Sequence, residues 1–327
     1  MDPTGRRRTT VADSVQDLVA VTDRIRSAVC GVIEGKPDRI DTALVVLLAE
    51  GHLLLEDVPG VGKTMLARAL GRSIDCSVHR MQFTPDLLPS DITGVSVFNQ
   101  QTREFEFKPG GIFANIVVVD EINRASPKTQ SALLEAMAEH QVSADGVTHV
   151  LEAPFMVVAT QNPIEMEGTY PLPEAQRDRF MARITMGYPA RSAELDMLDH
   201  HGAHNPLDDL APVTTAQEVR RLVEVVREVY VAPVVRDYLL DIVSATRDHE
   251  DVRLGASPRA ALHLVRTARA RAAMSGRDYV IPDDIQALAV PVLAHRLLPS
   301  TRAQLDGRGA DEIVSSIVAA TPVPQQD

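Results

Sequence analysis

Three groups of residues have types and spacing that could do chemistry. The first is Asp57-Val-Pro-Gly-Val-Gly-Lys-Thr64. Gly60 and Gly62 let backbone N–H groups approach an anion with no Cβ in the way. Lys63 brings a full positive charge to β- and γ-phosphates, and the Thr64 hydroxyl next to it can ligate Mg²⁺. Pro59, Val61 and Met65 complete the loop and the first turn behind it. The usual phosphate-binding loop has Gly six residues before the Lys, where this chain has Asp57. The second group is Asp120-Glu121, which ends the apolar run Ile116-Val-Val-Val. Two carboxylates there are costly to bury without a partner. A Mg²⁺ ion and an attacking water would supply one. Asp120 would hold the metal's water shell, and Glu121 would orient and polarise the water that attacks a γ-phosphate. The same pair could simply cap a helix start. The third group is Thr160-Gln-Asn-Pro163, where Asn162 could hydrogen-bond the γ-phosphate or the water, or could equally initiate an Asn-Pro turn.

These residues need elements to hold them. Leu53–Leu55 reads as a short buried parallel strand. Pro59, Gly60 and Gly62 forbid regular structure, and Met65, Leu66, Ala69 and Leu70 then fall at helical spacing. The result is strand, tight loop and helix, with the helix N-terminus adding partial positive charge to the loop. The runs at 116–119 and 155–159 read as strands buried on both faces, so each candidate group sits at a strand's C-terminal tip, where open α/β sheets bind ligands. Ser126 followed by Pro127 has the form of a helix N-cap, with the helix running to about Glu139.

With 327 residues the chain can bury a sizeable core and is long enough for two domains. The net charge of −12, from 45 acidic and 33 basic residues, argues against a protein that coats nucleic acid or anionic membrane. Cys30 and Cys76 form no metal pattern and read as reduced thiols of a cytoplasmic protein. No apolar run is long enough to span a bilayer, and Arg6-Arg7-Arg8 lacks the apolar segment of a signal peptide.

The organisation expected is a flexible arm over 1–13, an α/β core over 14–190, a linker over 191–212, a helical domain over 213–305 and a loose polar tail over 306–327. Within the core, helical patterns flank a break at 32–37, which could line a base or be a plain helix–turn–helix. A strand is expected at 78–83, with turn chemistry at 84–91. Hairpins are expected at 94–111 and 141–152, the second around Ala144-Asp145-Gly146. Another strand is expected at 182–186. Arg177 and Arg179 precede it, and could be solvated surface or could reach a neighbouring subunit's nucleotide. Ser257-Pro258-Arg259 repeats the cap-then-proline pattern. It puts a cation in a helix's first turn against the dipole, a hint that Arg259 has another partner such as phosphate, or Arg259 is a plain surface arginine like Arg266, Arg269 and Arg271 further along the same helix.

Together these stretches resemble the MoxR family of AAA+ ATPases, from about residue 33 to about residue 297. The resemblance rests on His52-Leu-Leu-Leu-Glu56 leading into Pro59-Gly-Val-Gly-Lys-Thr64, and on Asp120-Glu-Ile-Asn-Arg-Ala-Ser-Pro-Lys-Thr-Gln-Ser-Ala-Leu-Leu-Glu135. It rests equally on Ala159-Thr-Gln-Asn-Pro163, Glu167-Gly-Thr-Tyr-Pro-Leu-Pro-Glu-Ala-Gln176 and Asp178-Arg-Phe180. It implies an α/β fold: an AAA+ αβα core with a five-stranded parallel sheet, plus a C-terminal all-helical lid. It implies ATP and Mg²⁺ as ligands, with Lys63 and Thr64 as the phosphate-loop pair and Asp120 and Glu121 as the metal and catalytic carboxylates. Asn162 would be the polar sensor, Arg179 the trans-acting arginine finger (with Arg177 a rival) and Arg259 the lid's sensor arginine, in cis or in trans. The resemblance further implies a homo-oligomeric, usually hexameric, ring whose hairpins face a pore or client. Chaperone-like work on a protein client follows, with a partner bearing a von Willebrand factor A domain. A nucleic-acid motor and a non-hydrolysing scaffold are the rival functions.

Overall fold

The computed structural model describes residues 11–58, 60–162, 168–188, 191, 195 and 206–324. The expected arm over 1–13 lies almost wholly outside them, as do Pro59, Pro163, Glu167 and most of the expected linker. The chain divides into two compact units. One holds residues 25–43 and 50–216; the other holds the residues up to Arg24, 44–49 and those from Gln217 onward. The division at 216/217 falls close to the expected start of the helical domain at 213, but residues up to Arg24 and 44–49 group with the C-terminal unit and not with the core expected over 14–190.

In chain order the elements are α1 (Val11–Cys30), α2 (Pro37–Leu48), β1 (Leu53–Glu56), α3 (Lys63–Ser73), β2 (Val78–Gln82), α4 (Pro89–Thr93), β3 (Val95–Asn99) and β4 (Glu104–Lys108). Then come β5 (Ile116–Asp120), α5 (Pro127–Glu139), β6 (Gln141–Ala144), β7 (Val147–Val150), β8 (Met156–Gln161), α6 (Glu174–Arg177), β9 (Ala182–Ile184) and α7 (Pro206–Asp209). The C-terminal unit continues with α8 (Ala216–Arg227), α9 (Pro233–Asp248), β10 (Val252–Leu254), α10 (Pro258–Met274), α11 (Pro282–Leu293), β11 (Leu298–Pro299), α12 (Thr301–Leu305) and α13 (Ala310–Ala320).

The larger unit is built on a five-stranded sheet of order β2-β5-β8-β1-β9, every neighbouring pair parallel. Branched apolar residues explain the strands: β5 is buried along its whole length, and β8 at every residue but its last. Leu54, Val117, Val119, Val157 and Ala159 pack with Leu133, Leu134 and Met137 of α5 in one core. Ser126 caps α5 by accepting from the Thr129 backbone N–H at 3.4 Å, and Pro127 takes the first helical position. His52 accepts the Val157 N–H on Nδ1 at 3.0 Å and donates from Nε2 to the Met137 carbonyl at 3.0 Å, tying the root of β1 to β8 and α5.

The two insertions are antiparallel hairpins, β3 with β4 and β6 with β7. Asp145 and Gly146 both have positive φ, the requirement of a tight primed turn. Phe107 of β4 stacks on His149 of β7 with ring centroids 3.8 Å apart, so the two hairpins meet side to side. The segment read as turn chemistry contains a short helix, α4, at whose start the Asp91 carboxylate accepts the Leu88 N–H at 2.8 Å.

In the other unit α10 packs against α9 and α11, and α13 packs against α9 and α11. The tail is therefore corrected: residues 310–320 are a helix with Ile313, Val314 and Ile317 buried, not a loose end. The polar residues of α13 face water while a helical stripe of three apolar residues is enough to dock it. No helix among the described residues is long and apolar enough to cross a membrane.

Candidate active site

The functional strands β5, β8 and β1 are consecutive in the sheet, so their C-terminal tips converge. The loop after β1 holds Gly60 and Gly62, both at φ +86°, with open space where a Cβ would project. A side chain at either would be strained, and the loop's concave face is left to backbone N–H groups. Lys63 opens α3, followed by Thr64 and Met65 in its first turn. Pro59 lies outside the described residues.

The Lys63 ammonium donates to the Asp57 carbonyl at 2.7 Å. Burial lowers the lysine's pKa, and the carboxylates of Asp57, Asp120 and Glu121 pull it back up. A half-buried cation facing those acids is poised for an anion that would take over its hydrogen bond. Asp57 has its own work where glycine is usual: its carboxylate accepts the Val58 N–H at 2.8 Å and the Gly187 N–H just past β9.

Thr64 Oγ1 donates to Asp120 Oδ1 at 2.9 Å, bringing together the two oxygen donors expected to serve a metal. The other Asp120 oxygen accepts from Arg80 Nε at 2.6 Å, and Asp120 itself is only 6 % exposed. Glu121 stands just past β5 at φ 56°, a left-handed conformation uncommon for a non-glycine residue. Its N–H is held by Thr160 Oγ1 at 3.0 Å, and its carboxylate accepts from Gln82 Nε2 at 2.8 Å and pairs with Arg124 Nε at 2.9 Å. Asn162 follows β8 directly and is buried.

Hard oxygen donors limited to one hydroxyl and one carboxylate fit Mg²⁺, which keeps waters and substrate phosphates as its other ligands. Among the described residues no cluster of three or more His, Cys, Asp or Glu could hold a metal by itself. A metal here would therefore come with a nucleotide's phosphates.

The candidate arginines sit on other elements. Arg179 lies between α6 and β9 and donates to the Leu134 carbonyl on α5. Arg177 ends α6 with an enclosed Nε that has no hydrogen-bond partner. Arg259 is exposed in the first turn of α10, in the other unit. Sequence reading missed Arg80 and Gln82, and it gave Arg124 and Thr160, quoted within longer runs, no role of their own. The signal for the first two was present: polar residues two apart on a strand share a face.

A parallel sheet with a glycine–lysine–threonine loop at one strand tip and an acid pair at the next-but-one defines a phosphate-loop nucleotide hydrolase. The comparisons narrow the class. Residues 52–182 match the profile of the ATPase family associated with various cellular activities (AAA), and residues 244–317 match the AAA lid domain. Chaperone MoxR1 of Mycobacterium tuberculosis is 39 % identical, over 96 % of this chain and 85 % of that protein. Protein MoxR of Paracoccus denitrificans is 31 % identical, over 91 % and 95 %. The uncharacterized protein YeaC of Bacillus subtilis is 50 % identical, over 95 % and 97 %. The crystal structure of a candidate ATPase from Cytophaga hutchinsonii superposes with a TM-score of 0.89 at 36 % identity, over 96 % of this chain and 98 % of that one. The chain belongs to the MoxR family of AAA+ ATPases. It is an ATP hydrolase built as an AAA α/β domain with a helical lid.

Proposed function

We propose that this ATPase works as a homo-oligomeric ring, hexameric as in the family it belongs to, with one Mg²⁺–ATP held between adjacent subunits. Hydrolysis drives chaperone-like remodelling or maturation of a protein client, together with a partner bearing a von Willebrand factor A domain. The observation that carries the site assignment is the 2.9 Å contact between Thr64 and Asp120, at the tip of strand β5 and beside Lys63. The backbone of Gly60, Val61, Gly62 and Met65, with Pro59, cradles the phosphates, and Lys63 leaves the Asp57 carbonyl to hold their oxygens. Thr64 and Asp120 hold Mg²⁺, which supplies charge neutralisation at the reacting phosphates.

Glu121 takes the proton of the attacking water once it has left Gln82 and Arg124, and Asn162 orients that water or the γ-phosphate. Arg179 reaches the neighbouring subunit's nucleotide; a guanidinium has five N–H donors, so the bond to Leu134 does not exhaust it. Arg259 of the lid completes the set. The name of the relative Chaperone MoxR1 supports work on protein clients. Exposed apolar residues on the hairpins, Phe98, Phe105, Val147 and Val150, support a client-facing role for both. The free cysteines Cys30 and Cys76 support a reducing, cytoplasmic setting.

The test is Glu121→Gln. Steady-state hydrolysis should fall by about a hundredfold or more while ATP affinity persists. Pull-down with that variant and ATP should then trap clients. Unchanged turnover would remove Glu121 from its role.

A further inference from the structure

Strand β2 is an edge of the sheet, yet it carries the partner of the enclosed Asp120. The Arg80 side chain is 56 % exposed and that of Asp120 8 %, so a solvated cation reaches inward to a desolvated carboxylate. Its outer side opens on a groove of about 520 Å³, lined by Arg68, Arg72, Cys76, Val78 and Leu207 besides Arg80 itself. Arg72 answers to Asp208, with N–O at 3.5 Å and a second bond to its carbonyl at 3.2 Å. Arg68 on the next turn of α3 adds a third positive charge to the groove. Like charges on that side push Arg80 towards Asp120, the carboxylate it contacts.

Asp120 thus has both oxygens engaged, Oδ1 by Thr64 and Oδ2 by Arg80. A buried carboxylate without a countercharge is costly; Lys63 interacts with Asp120 but spends its hydrogen bond on the Asp57 carbonyl, so Arg80 is the cation bonded directly to the carboxylate. We propose that Arg80 is a positioning residue that acts as a metal-sensitive latch: its guanidinium stands in for the metal's charge on Asp120 and competes with the metal for it. The proposal rests on the reading of Asp120 as a metal-site carboxylate. When Mg²⁺–nucleotide binds, Arg80 gives up Oδ2 and turns into the groove beside Arg68 and Arg72. Nucleotide alone leaves the latch shut. Arg80 therefore weakens metal binding, the reverse of what a supporting structural ion pair would do.

The test is a thermodynamic cycle and needs no turnover. The affinity of a fluorescent ATP analogue is measured in EDTA and in saturating Mg²⁺, and the ratio gives the metal–nucleotide coupling. In Arg80→Gln the ratio should rise about fivefold, the scale of one half-exposed ion pair. Arg80→Lys, which keeps charge but loses the planar fork, should show a smaller rise in the same direction. Arg72→Gln removes one of the like charges facing Arg80 in the groove, a charge already paired with Asp208, and should raise the ratio by less than Arg80→Gln does. A ratio in Arg80→Gln that is unmoved or reduced overturns the latch. If that variant does not fold, as judged by circular dichroism, Arg80→Lys decides alone: an unmoved or lowered ratio overturns the proposal. Failure of the parent protein to bind nucleotide under either condition would instead sink the reading of the whole site.

Discussion

Lys63 pays for its position before any nucleotide arrives. Burial depresses its pKa against three neighbouring carboxylates, so in the nucleotide-free protein the charged amine is, on balance, disfavoured. A group whose folded pKa lies below its unfolded value costs stability while both states are protonated, and the cost is relieved as pH rises through the folded pKa. Lys63→Met should therefore not lower the melting temperature of nucleotide-free protein at neutral pH, and any gain should shrink as pH rises through that depressed pKa. The stabilisation that ATP gives the parent protein should vanish in the variant. Thermal melts with and without ATP, run across pH, check both halves. A melting temperature that drops by several degrees without nucleotide would contradict the burial argument. Cys76 makes a second residue-scale case. Burial, helped by Asp75, pushes its thiol up to about 12. Alkylation at pH 8 should be at least about a hundredfold slower in folded than in denatured protein, because the thiolate is the nucleophile.

Among the elements, α13 and the β3–β4 hairpin make opposite predictions. Ile313 is fully buried on α13, so Ile313→Ala should cost about 2–5 kcal/mol of unfolding free energy, read from denaturant titration. A change within experimental error would mean that the C-terminal helix does not dock. Phe105 on β4 is 73 % exposed and meets the ring of Phe98 edge-on, with centroids 5.4 Å apart. Phe105→Ser should shift unfolding by no more than about 0.5 kcal/mol, while client-stimulated ATPase falls. Basal turnover should stay put, since β3 and β4 lie outside the five-stranded sheet.

For the whole assembly, the interface reading of Arg179 is tested by mixing. Arg179→Ala and Glu121→Gln subunits should each be inactive alone. In the proposed ring, mixing would create sites with an intact Glu121 facing a neighbour's intact Arg179, about a quarter of the total at equal mixing, and turnover should return in that proportion. Mixtures that remain inactive would place Arg179 in cis or outside catalysis. An ATPase whose specific activity does not change with protein concentration, from dilute to concentrated, would count against an obligate ring.

Much of the larger unit was legible in the residues. The apolar runs at 116–119 and 155–159 have little choice but to be buried strands, and paired glycines before Lys63 admit few structures other than an anion-cradling loop. Ser126-Pro127 and Ser257-Pro258 marked helix starts because capping is local chemistry. The α13 helix escaped notice because composition hides a three-residue stripe, and α4 because turn residues also begin helices. What only the tertiary structure decided is which strands are neighbours. Strand order sets Asp120 against Thr64 from 56 residues away and brings Arg80 and Gln82 from an edge strand onto the acid pair. Local preference names the elements, but contacts between distant segments follow from how the buried faces pack, and no short window of sequence contains that information.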